Sequence, residues 1–227
     1  MYSKLFFNEV KAAYKDANEK AIAEGQKAPG MPLLTESQLR LESFVNTTTT
    51  RYTFGVLTSD VSPGTTGVNA TEVRLQTNDN FHIRSIAFYV AFTAASTDTS
   101  YRLLSYFSDK VTGSVAATLN YEGIYNNGLL NINVNQVDVL TNYRLSKHKL
   151  VPQTQKISVS VDTAYDQINM QSDGIVNLSP AIMLSGAYTN TITVQLAAAI
   201  TSAVASNNSR MVVIFDGIRA QNAAIRK

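Results

Sequence analysis

The sequence predicts a mainly β protein, a sandwich or barrel of short strands that follows a helical N-terminal arm. Apolar and polar residues alternate with a period of two in many stretches from Arg51 to Gln221, which is typical of strands with one buried and one wetted face. Turn-forming residues separate these stretches, and the stretches do not alternate with long helical patterns as in a βαβ fold. We therefore expect one body of about eight to ten short strands.

Residues 2–24 predict an amphipathic helix, which forms the arm. A linker rich in Gly and Pro (25–34) then ends the helix. The predicted domains are therefore an arm with its linker at 1–30 and a β-sandwich body at 31–227. The apolar residues of the arm recur at steps of three and four: Phe6, Val10, Ala13, Ala17 and Ala21, with Leu5, Tyr14 and Ile22 beside them.

The apolar stripe of this helix is short, so the helix must dock on another surface to be stable. We expect Phe6, Val10, Ala13 and Tyr14 to make that contact. The pattern leaves the partner open. It could be the chain's own body, a neighbouring subunit, an inner partner of an assembly or a membrane surface.

Three features of the body are specific enough to name. Thr35 and Gln38 resemble a capping box, which predicts a short helix or turn. The apolar residues change from odd to even positions near Arg84–Ser85 within the strand from 81 to 93, which predicts a β-bulge or a bend of the strand. Met211–Phe215 is a nearly continuous apolar run, which predicts a strand buried on both faces.

Alternation and turn residues place the other elements of the body. They predict strands at 52–56, 72–77, 101–107, 130–134, 157–161 and 192–196, and a loop at 62–67. Several tyrosines fall in or near these strands: Tyr101, Tyr106, Tyr121, Tyr125 and Tyr143. Cross-strand packing is the expected role of each, and sugar stacking or subunit contacts are the alternatives.

The composition restricts the classes of function. Charged residues make up 16% of the 227 residues and the net charge is +2, without any block of Lys or Arg, so no specific nucleic-acid site is expected. Uncharged polar residues replace the missing charge, which suits a surface that neighbouring subunits cover. The chain has no cysteine, which excludes disulfides and thiolate metal sites.

The N-terminal segment does not predict a secretory signal, because Asn8, Glu9 and Lys11 interrupt its apolar residues. The most apolar later stretch (192–204) is too short and too polar to span a bilayer. We therefore expect the protein to be made in a cytoplasm and to stay there until it assembles.

No catalytic, metal-binding or cofactor-binding motif is present, and we expect the protein not to be an enzyme. His82 is expected to have a structural role in a strand, and His148 to lie at a solvated edge between Lys147 and Lys149. Turn formation is the commoner role for loop carboxylates, and their spacing does not match a calcium loop. The carboxylates weighed for paired catalysis are Asp162, Asp166 and Asp173, with Glu72, Asp79 and Glu122 elsewhere.

Four segments resemble a known class of protein. They are TRYTFGVLTSD (50–60), EVRLQTNDNFHIRSIAFYVA (72–91), IYNNGLLNINVNQVDVLTNYRLSKHKLVPQTQ (124–155) and MVVIFDGIRAQNA (211–223). They resemble virion structural proteins of tailless or tailed bacteriophages that infect Bacteroidetes-type bacteria, and the resemblance covers most of residues 36–224. It implies a capsid subunit with a single jelly-roll-like β sandwich and an N-terminal amphipathic helix arm on the inner side of the particle.

The function that this resemblance implies is a viral capsid structural subunit that self-assembles into an icosahedral shell and is located in the virion. Its implied partners are copies of itself and other virion proteins, and the helix could contact an internal membrane. The arm lacks the Arg-rich run of many genome-binding capsid arms, which puts genome packaging by this chain in doubt. A capsid fold with a long spine helix ranks second.

Two other classes of function stay open. The first is a carbohydrate-binding β-sandwich host-attachment protein, which would need exposed tyrosines beside Asn or Asp in a groove at the loop end of the sandwich. The second is a glycoside hydrolase or another enzyme, which would need a pair of carboxylates at a suitable separation.

Overall fold

The computed structural model describes residues 2–27, 30–61, 71–92, 102–107, 115–150, 174–200 and 209–223. Within these ranges the chain is mainly β and begins with a helix, as the sequence predicts. Its elements in chain order are α1 (Tyr2–Ala23), β1 (Leu33–Phe44), β2 (Arg51–Phe54), β3 (Asn80–Phe92), β4 (Arg102–Leu104), α2 (Val115–Asn127), β5 (Leu129–Val134), β6 (Val137–Arg144), a 3-10 helix (Leu145–His148), β7 (Val176–Ser185), β8 (Asn190–Gln195) and β9 (Arg210–Gln221).

The strands form two antiparallel sheets. In the first sheet the order is β1-β9-β3, and both β7 and β4 pair with the far edge of β3. In the second sheet the order is β2-β8-β5-β6. Alternate residues of both sheets enter one shared hydrophobic core, such as Leu41 and Val213 from the first and Ile132 and Val194 from the second.

The prediction of a short helix or turn at Thr35 and Gln38 is wrong, because both residues lie in β1. This strand pairs with β9 along all of its 12 residues. Strand formation depends on cross-strand neighbours more than on local preference, so a long ladder outweighs a capping pattern of two residues.

The predicted bulge in β3 is confirmed. The pairing of β3 with both β7 and β9 shifts register between Ile83 and Ser85, where the buried parity changes in the sequence. Gly217 of β9 lies opposite Ile83, and a Cβ at this glycine would lie 1.9 Å from the backbone oxygen of His82. The close approach of the two backbones beside the bulge therefore requires glycine at this position.

Most of the other strand predictions are confirmed. The strands β2, β5 and β8 lie where alternation predicts them, and every residue of Met211–Phe215 in β9 is buried. The strand β4 is shorter than the predicted 101–107. The predicted loop at 62–67 and the predicted strand at 157–161 lie outside the described residues.

The segment 72–77 is not the strand that alternation predicts, but it links the two sheets. Val73 forms a bridge with Arg40 of β1, and Leu75 forms a bridge with Leu57, shortly after β2. The segment therefore joins the outer edge of β1 in the first sheet to the chain that continues β2 of the second sheet.

The helix α2 is absent from the sequence predictions. Tyr121 and Tyr125, which alternation places near strands, lie on this helix and are buried in the core. Tyr121 stacks on Phe107 at a centroid distance of 4.8 Å, and Tyr125 meets Phe88 edge to face at 5.5 Å. The Tyr125 hydroxyl donates a 2.6 Å hydrogen bond to the carbonyl oxygen of Leu104. Two aromatic anchors therefore hold α2 in the core.

A buried ionic network fixes β1 to its neighbours. The side chain of Glu42 has no exposed surface, and its carboxylate accepts hydrogen bonds from Arg40 at 2.8 and 2.9 Å and from Arg210 at 2.8 Å. The Thr71 hydroxyl donates a further bond of 2.6 Å. These donors replace the water that the carboxylate loses on burial, and without them the charge would be very costly.

Arg74 continues this network toward the second sheet. Its buried guanidinium pairs with Glu72 at 2.8 Å and donates to the backbone oxygen of Asp60. Glu72 in turn accepts the backbone N–H of Glu42 at 3.0 Å. A Cβ at Gly55 would lie 2.7 Å from the Arg74 guanidinium, so glycine leaves the room that this side chain occupies.

Replacing Glu42 with Gln is expected to lower the free energy of unfolding by about 2–4 kcal/mol, because two partly buried arginines lose their counter-charge and their charged hydrogen bonds. Chemical denaturation followed by circular dichroism measures the change. The control Glu19→Gln removes an exposed pair with Lys15 on α1 and should cost less than about 0.5 kcal/mol. Equal effects of the two substitutions would contradict the prediction.

Candidate functional site: the seat of the N-terminal helix

The helix α1 presents one face to the body. Leu5 and Ile22 lie on other sides of the helix and are 60% and 64% exposed. The side chains that are buried or partly buried recur at steps of three and four, so they lie along one side. They are Phe6, Phe7, Val10, Tyr14, Asn18 and Ala21, and of these Val10 is buried.

A glycine turn closes the C-terminus of α1. Gly25 has a left-handed backbone with φ of 69°, and its N–H donates to the carbonyl of Ile22 at 3.0 Å. The N–H of Gln26 donates to the carbonyl of Ala21 at 2.8 Å. This pair of bonds is the Schellman motif, which ends the helix at a defined residue and starts the linker there.

Tyr14 makes the polar contact between α1 and the body. Its hydroxyl lies 3.0 Å from Nε2 of His82 and accepts a 3.2 Å hydrogen bond from Nδ2 of Asn80. The rings of Tyr14 and His82 meet edge to face at 5.5 Å. Ile218 and Ala220 of β9 lie opposite His82 and Asn80 in the ladder and are also buried, so they share this face. We call Asn80, His82, Ile218 and Ala220 the arm seat.

Burial sets the protonation state of the arm seat. It lowers the pKa of His82 from 6.5 to about 4, so the imidazole is neutral at pH 7. In the tautomer that carries its proton on Nδ1, Nε2 accepts the hydroxyl proton of Tyr14. Burial raises the pKa of Tyr14, and the hydrogen bond from Asn80 partly lowers it. The hydroxyl thus donates to His82 and accepts from Asn80, which uses both of its hydrogen-bonding roles.

The four residues predicted to dock differ in how far they are buried against the body. Val10 and Tyr14 face the body, Phe6 is partly buried, and Ala13 is exposed. Asn18 occupies the inward position one turn after Tyr14. The apolar pattern of the helix does not predict this contact, because Asn18 is polar. Docking on a neighbouring subunit stays a prediction.

The expectation that His148 lies at a solvated edge is wrong. It is fully buried, and its Nδ1 lies 2.6 Å from the carbonyl oxygen of Gly174. Residues three apart in a 3-10 helix lie on one side, so Leu145 and His148 turn inward together. Burial is the main cause that lowers the pKa of His148, and the charge of Lys147 adds to it.

The carboxylates that the sequence singles out have basic partners wherever the structure describes them. Asp162, Asp166 and Asp173 lie outside the described residues. No group of three or more His, Cys, Asp or Glu side chains that could hold a metal ion occurs in the described ranges. The observed pairs are Glu72 with Arg74, Asp79 with Arg219, and Glu122 with Lys149.

None of the helices in the described part of the chain combines the length and the apolar character needed to cross a membrane. No protein-family model, curated protein or solved structure matches the chain. A functional assignment therefore rests on the strand order and on the surface contacts of the chain itself.

Lowering the pH from 7 to 4 is expected to release α1 from the arm seat. Because the pKa of His82 in the docked state is below its ordinary 6.5, the docked state binds a proton less readily, and docking weakens as the pH falls from about 6.5 through about 4. The chain has no cysteine, so a single cysteine at the exposed Ala17 can carry a spin label whose mobility reports the release.

The matched control is His82→Gln, which keeps a hydrogen-bonding side chain in the arm seat but does not titrate. The spin label in this variant should stay immobile over the same pH range. An equal rise in mobility in both chains would show that another group, such as His148, drives the release, and the prediction would then be wrong.

Proposed function

We propose that the chain is a structural subunit of a viral capsid, with a jelly-roll body that assembles with copies of itself into an icosahedral shell. The observation that carries the proposal is the nested pairing of the strands: β1 with β9, β2 with β8, β3 with β7, and β5 with β6. Winding one long antiparallel hairpin into two sheets produces this order, with β4 and α2 as an insertion. That order is typical of the jelly roll, which occurs in viral capsids and in lectins.

The resemblance to bacteriophage virion proteins favours the capsid over the lectin. A fold by itself does not determine function, so this second observation is needed. The resembling segments include β2, β3, β5 with β6, and β9, which are strands of the nested pairing. The low charged fraction of 16% also suits a surface that neighbouring subunits cover.

The outer strands β6 and β7 are poorly suited to adding a strand from another chain. The β5–β6 ladder shifts register twice, and Asn142 of β6 has a φ of 52°. In β7, residues 178–181 lie opposite Arg84 alone, and Pro180 has no N–H to donate. Bulges of this kind interrupt the ladder that an incoming strand needs. We therefore expect subunits to meet through loops, sheet faces and the arm.

Exposed apolar side chains on these outer strands supply contact area for neighbours. Val137 and Val139 of β6 are 61% and 40% exposed, and Met183 of β7 is 42% exposed. Removal of apolar surface from water is the main driving force of most protein association. Many weak contacts of this kind, repeated by symmetry, close a shell.

The arm supplies a second kind of contact in the proposal. The linker between α1 and β1 (24–32) spans up to roughly 30 Å when extended, at about 3.4 Å per residue. This length allows α1 to reach the arm seat of an adjacent subunit as well as its own. Ala13, Leu5 and Ile22 are exposed on the docked helix and are available to a neighbour or to an inner layer of the particle.

A non-catalytic role is part of the proposal. Both histidines have structural partners, His82 with Tyr14 and His148 with Gly174. The carboxylates in the described ranges that were weighed for catalysis pair with arginine or lysine. Groups held in this way stabilise the fold and are not poised for proton transfer to a substrate.

Purified full-length protein is expected to form shells or ordered sheets under the electron microscope. Deletion of residues 1–29 should leave a folded body that no longer assembles, because the contact made by the arm is lost. Light scattering measures the particle size, and circular dichroism shows whether the body is folded. Particles of normal size from the truncated chain would contradict the role of the arm, and failure of the full-length chain to assemble would contradict the capsid proposal.

Two full-length variants distinguish docking on a neighbour from docking only on the chain's own body. Val10→Asp disables the arm, and His82→Ala disables the arm seat. If arms bind neighbouring seats, a mixture of the two should assemble better than either alone, because the intact arm of one variant meets the intact seat of the other.

The matched control for this mixing experiment is Ala17→Ser, which changes an exposed position of the same helix and should assemble normally. Assembly of the mixture that equals the average of the separate variants would restrict the arm to its own body. That outcome would overturn the proposed contact between neighbours and leave the fold unaffected.

A further inference from the structure

The outer face of the second sheet holds a polar depression of about 520 Å³. Side chains from all four strands of this sheet line it, and every one of them is polar. Only two of them carry charge, Arg51 and Asp138, and these have opposite signs. The lining includes Asn131 and Asn133 of β5 and Thr191 and Thr193 of β8.

The strand register arranges these side chains in rows. Thr193 of β8 lies opposite Thr53 of β2 on one side and Asn131 of β5 on the other. Thr191 lies opposite Asn133 in the next row. The residues between them on β8 belong to the core, so the hydroxyls and amides stay on the outer face. Adjacent strands are about 4.8 Å apart, and hydrogen-bonding groups therefore recur at that interval across the depression.

Two hydrogen bonds hold the amides of the depression in place. Nδ2 of Asn133 donates to Oδ1 of Asp138 at 3.0 Å, which leaves the amide oxygen of Asn133 available. Oδ1 of Asn131 accepts the backbone N–H of Asn142 at 2.7 Å, which leaves its NH₂ group available. The depression thus offers an oriented acceptor and an oriented donor, and orientation before binding reduces the entropy lost on binding.

Thr193 lies at the floor of the depression and is only 6% exposed. Within the described ranges, its hydroxyl makes no hydrogen bond to another protein group. A hydroxyl both donates and accepts, so it complements a ligand that carries hydroxyls of its own. A ligand hydroxyl at this floor can supply the hydrogen bond that solvent would otherwise give the side chain.

We propose that this depression binds a neutral polyhydroxylated ligand, a segment of a glycan. Paired donors and acceptors match the hydroxyls of a sugar, and the opposite charges of Arg51 and Asp138 give no preference for a charged one. The volume lies in the range of about 300–1,000 Å³ that ligand pockets have. No tyrosine is among the described residues that line the site, which therefore differs from the tyrosine groove that a host-attachment lectin would need.

The described lining contains no aromatic side chain on which a sugar ring could stack, which predicts weak binding at each copy of the site. Display of many copies on one particle would compensate, since linked weak sites bind a polymer far more tightly than one site does. Only this gain in avidity rests on the proposed capsid function. The single site is expected to bind in the unassembled protein too.

The test uses full-length protein kept below the concentration at which it assembles, together with three soluble neutral polysaccharides: dextran, mannan and a β-glucan. Saturation-transfer NMR detects weak binding when the polysaccharide supplies sugar units at millimolar concentration. The variant Thr193→Val removes the floor hydroxyl at nearly constant shape, and it should weaken binding roughly three- to tenfold. The matched control is Thr53→Val, directly opposite on the same face but outside the lining, which should bind as the wild type does.

Each outcome decides the proposal. Binding of at least one polysaccharide, reduced by Thr193→Val and unchanged by Thr53→Val, supports it. Binding of none of them, or binding that is the same in all three chains, overturns it. Loss of particle assembly in Thr193→Val without glycan binding by the wild type would make the depression a subunit contact and also overturn it. Particle assembly is measured separately, so failure of the capsid proposal is a distinct result.

Discussion

The buried carboxylate of Glu42 is the interaction that holds the edge of the first sheet to the start of the segment that links the two sheets. It joins Arg40 of β1, Arg210 of β9 and Thr71, just before the linking segment 72–77, around one charge that has no exposed surface. Since a buried charge is stable only with all its partners in place, the linking segment cannot leave β1 without a large cost. The sandwich is therefore closed on the side of β1 and β2. Its other side ends in the interrupted strands β6 and β7.

The outer faces of the two sheets are chemically different, and this difference suggests a division of roles. The first sheet has buried apolar residues on its outer face, including Ile218 beneath the arm and Val212 and Ile214 farther along. The second sheet carries hydroxyls and amides in a shallow depression. A face that buries apolar surface is suited to docking, and a face of oriented polar groups is suited to a polar ligand or to water. In the proposed shell the first face would hold the arm and the second would meet a ligand.

Patterns local in the sequence predict much of this fold. Alternation identifies β5, β8 and β9, and a change of parity locates the bulge beside Ser85. Features that depend on distant partners are not predictable in this way. Thr35 and Gln38 mimic a cap until β9 is known to pair with them. The tyrosines of α2 are identified as core residues only when the helix meets Phe88 and Phe107. The same distinction holds for the candidate site. The helical spacing of apolar residues identifies Val10 and Tyr14. In contrast, His82 and Asn80 are recognised as part of the arm seat only when β3 is seen to contact the helix.

In the proposed assembly, the energetics of the arm would allow one contact to serve both the monomer and the shell. The seat gives α1 the same apolar contacts and the same Tyr14 hydrogen bonds whether the helix belongs to its own chain or to a neighbour, so these terms cancel in the exchange. The remaining difference is the effective concentration of the helix, which the linker sets, and any new contacts between bodies. Concentration of the subunits and burial of Val137 and Val139 would then favour exchange. In the proposed shell, an arm on a linker of defined length would therefore couple assembly to the concentration of subunits.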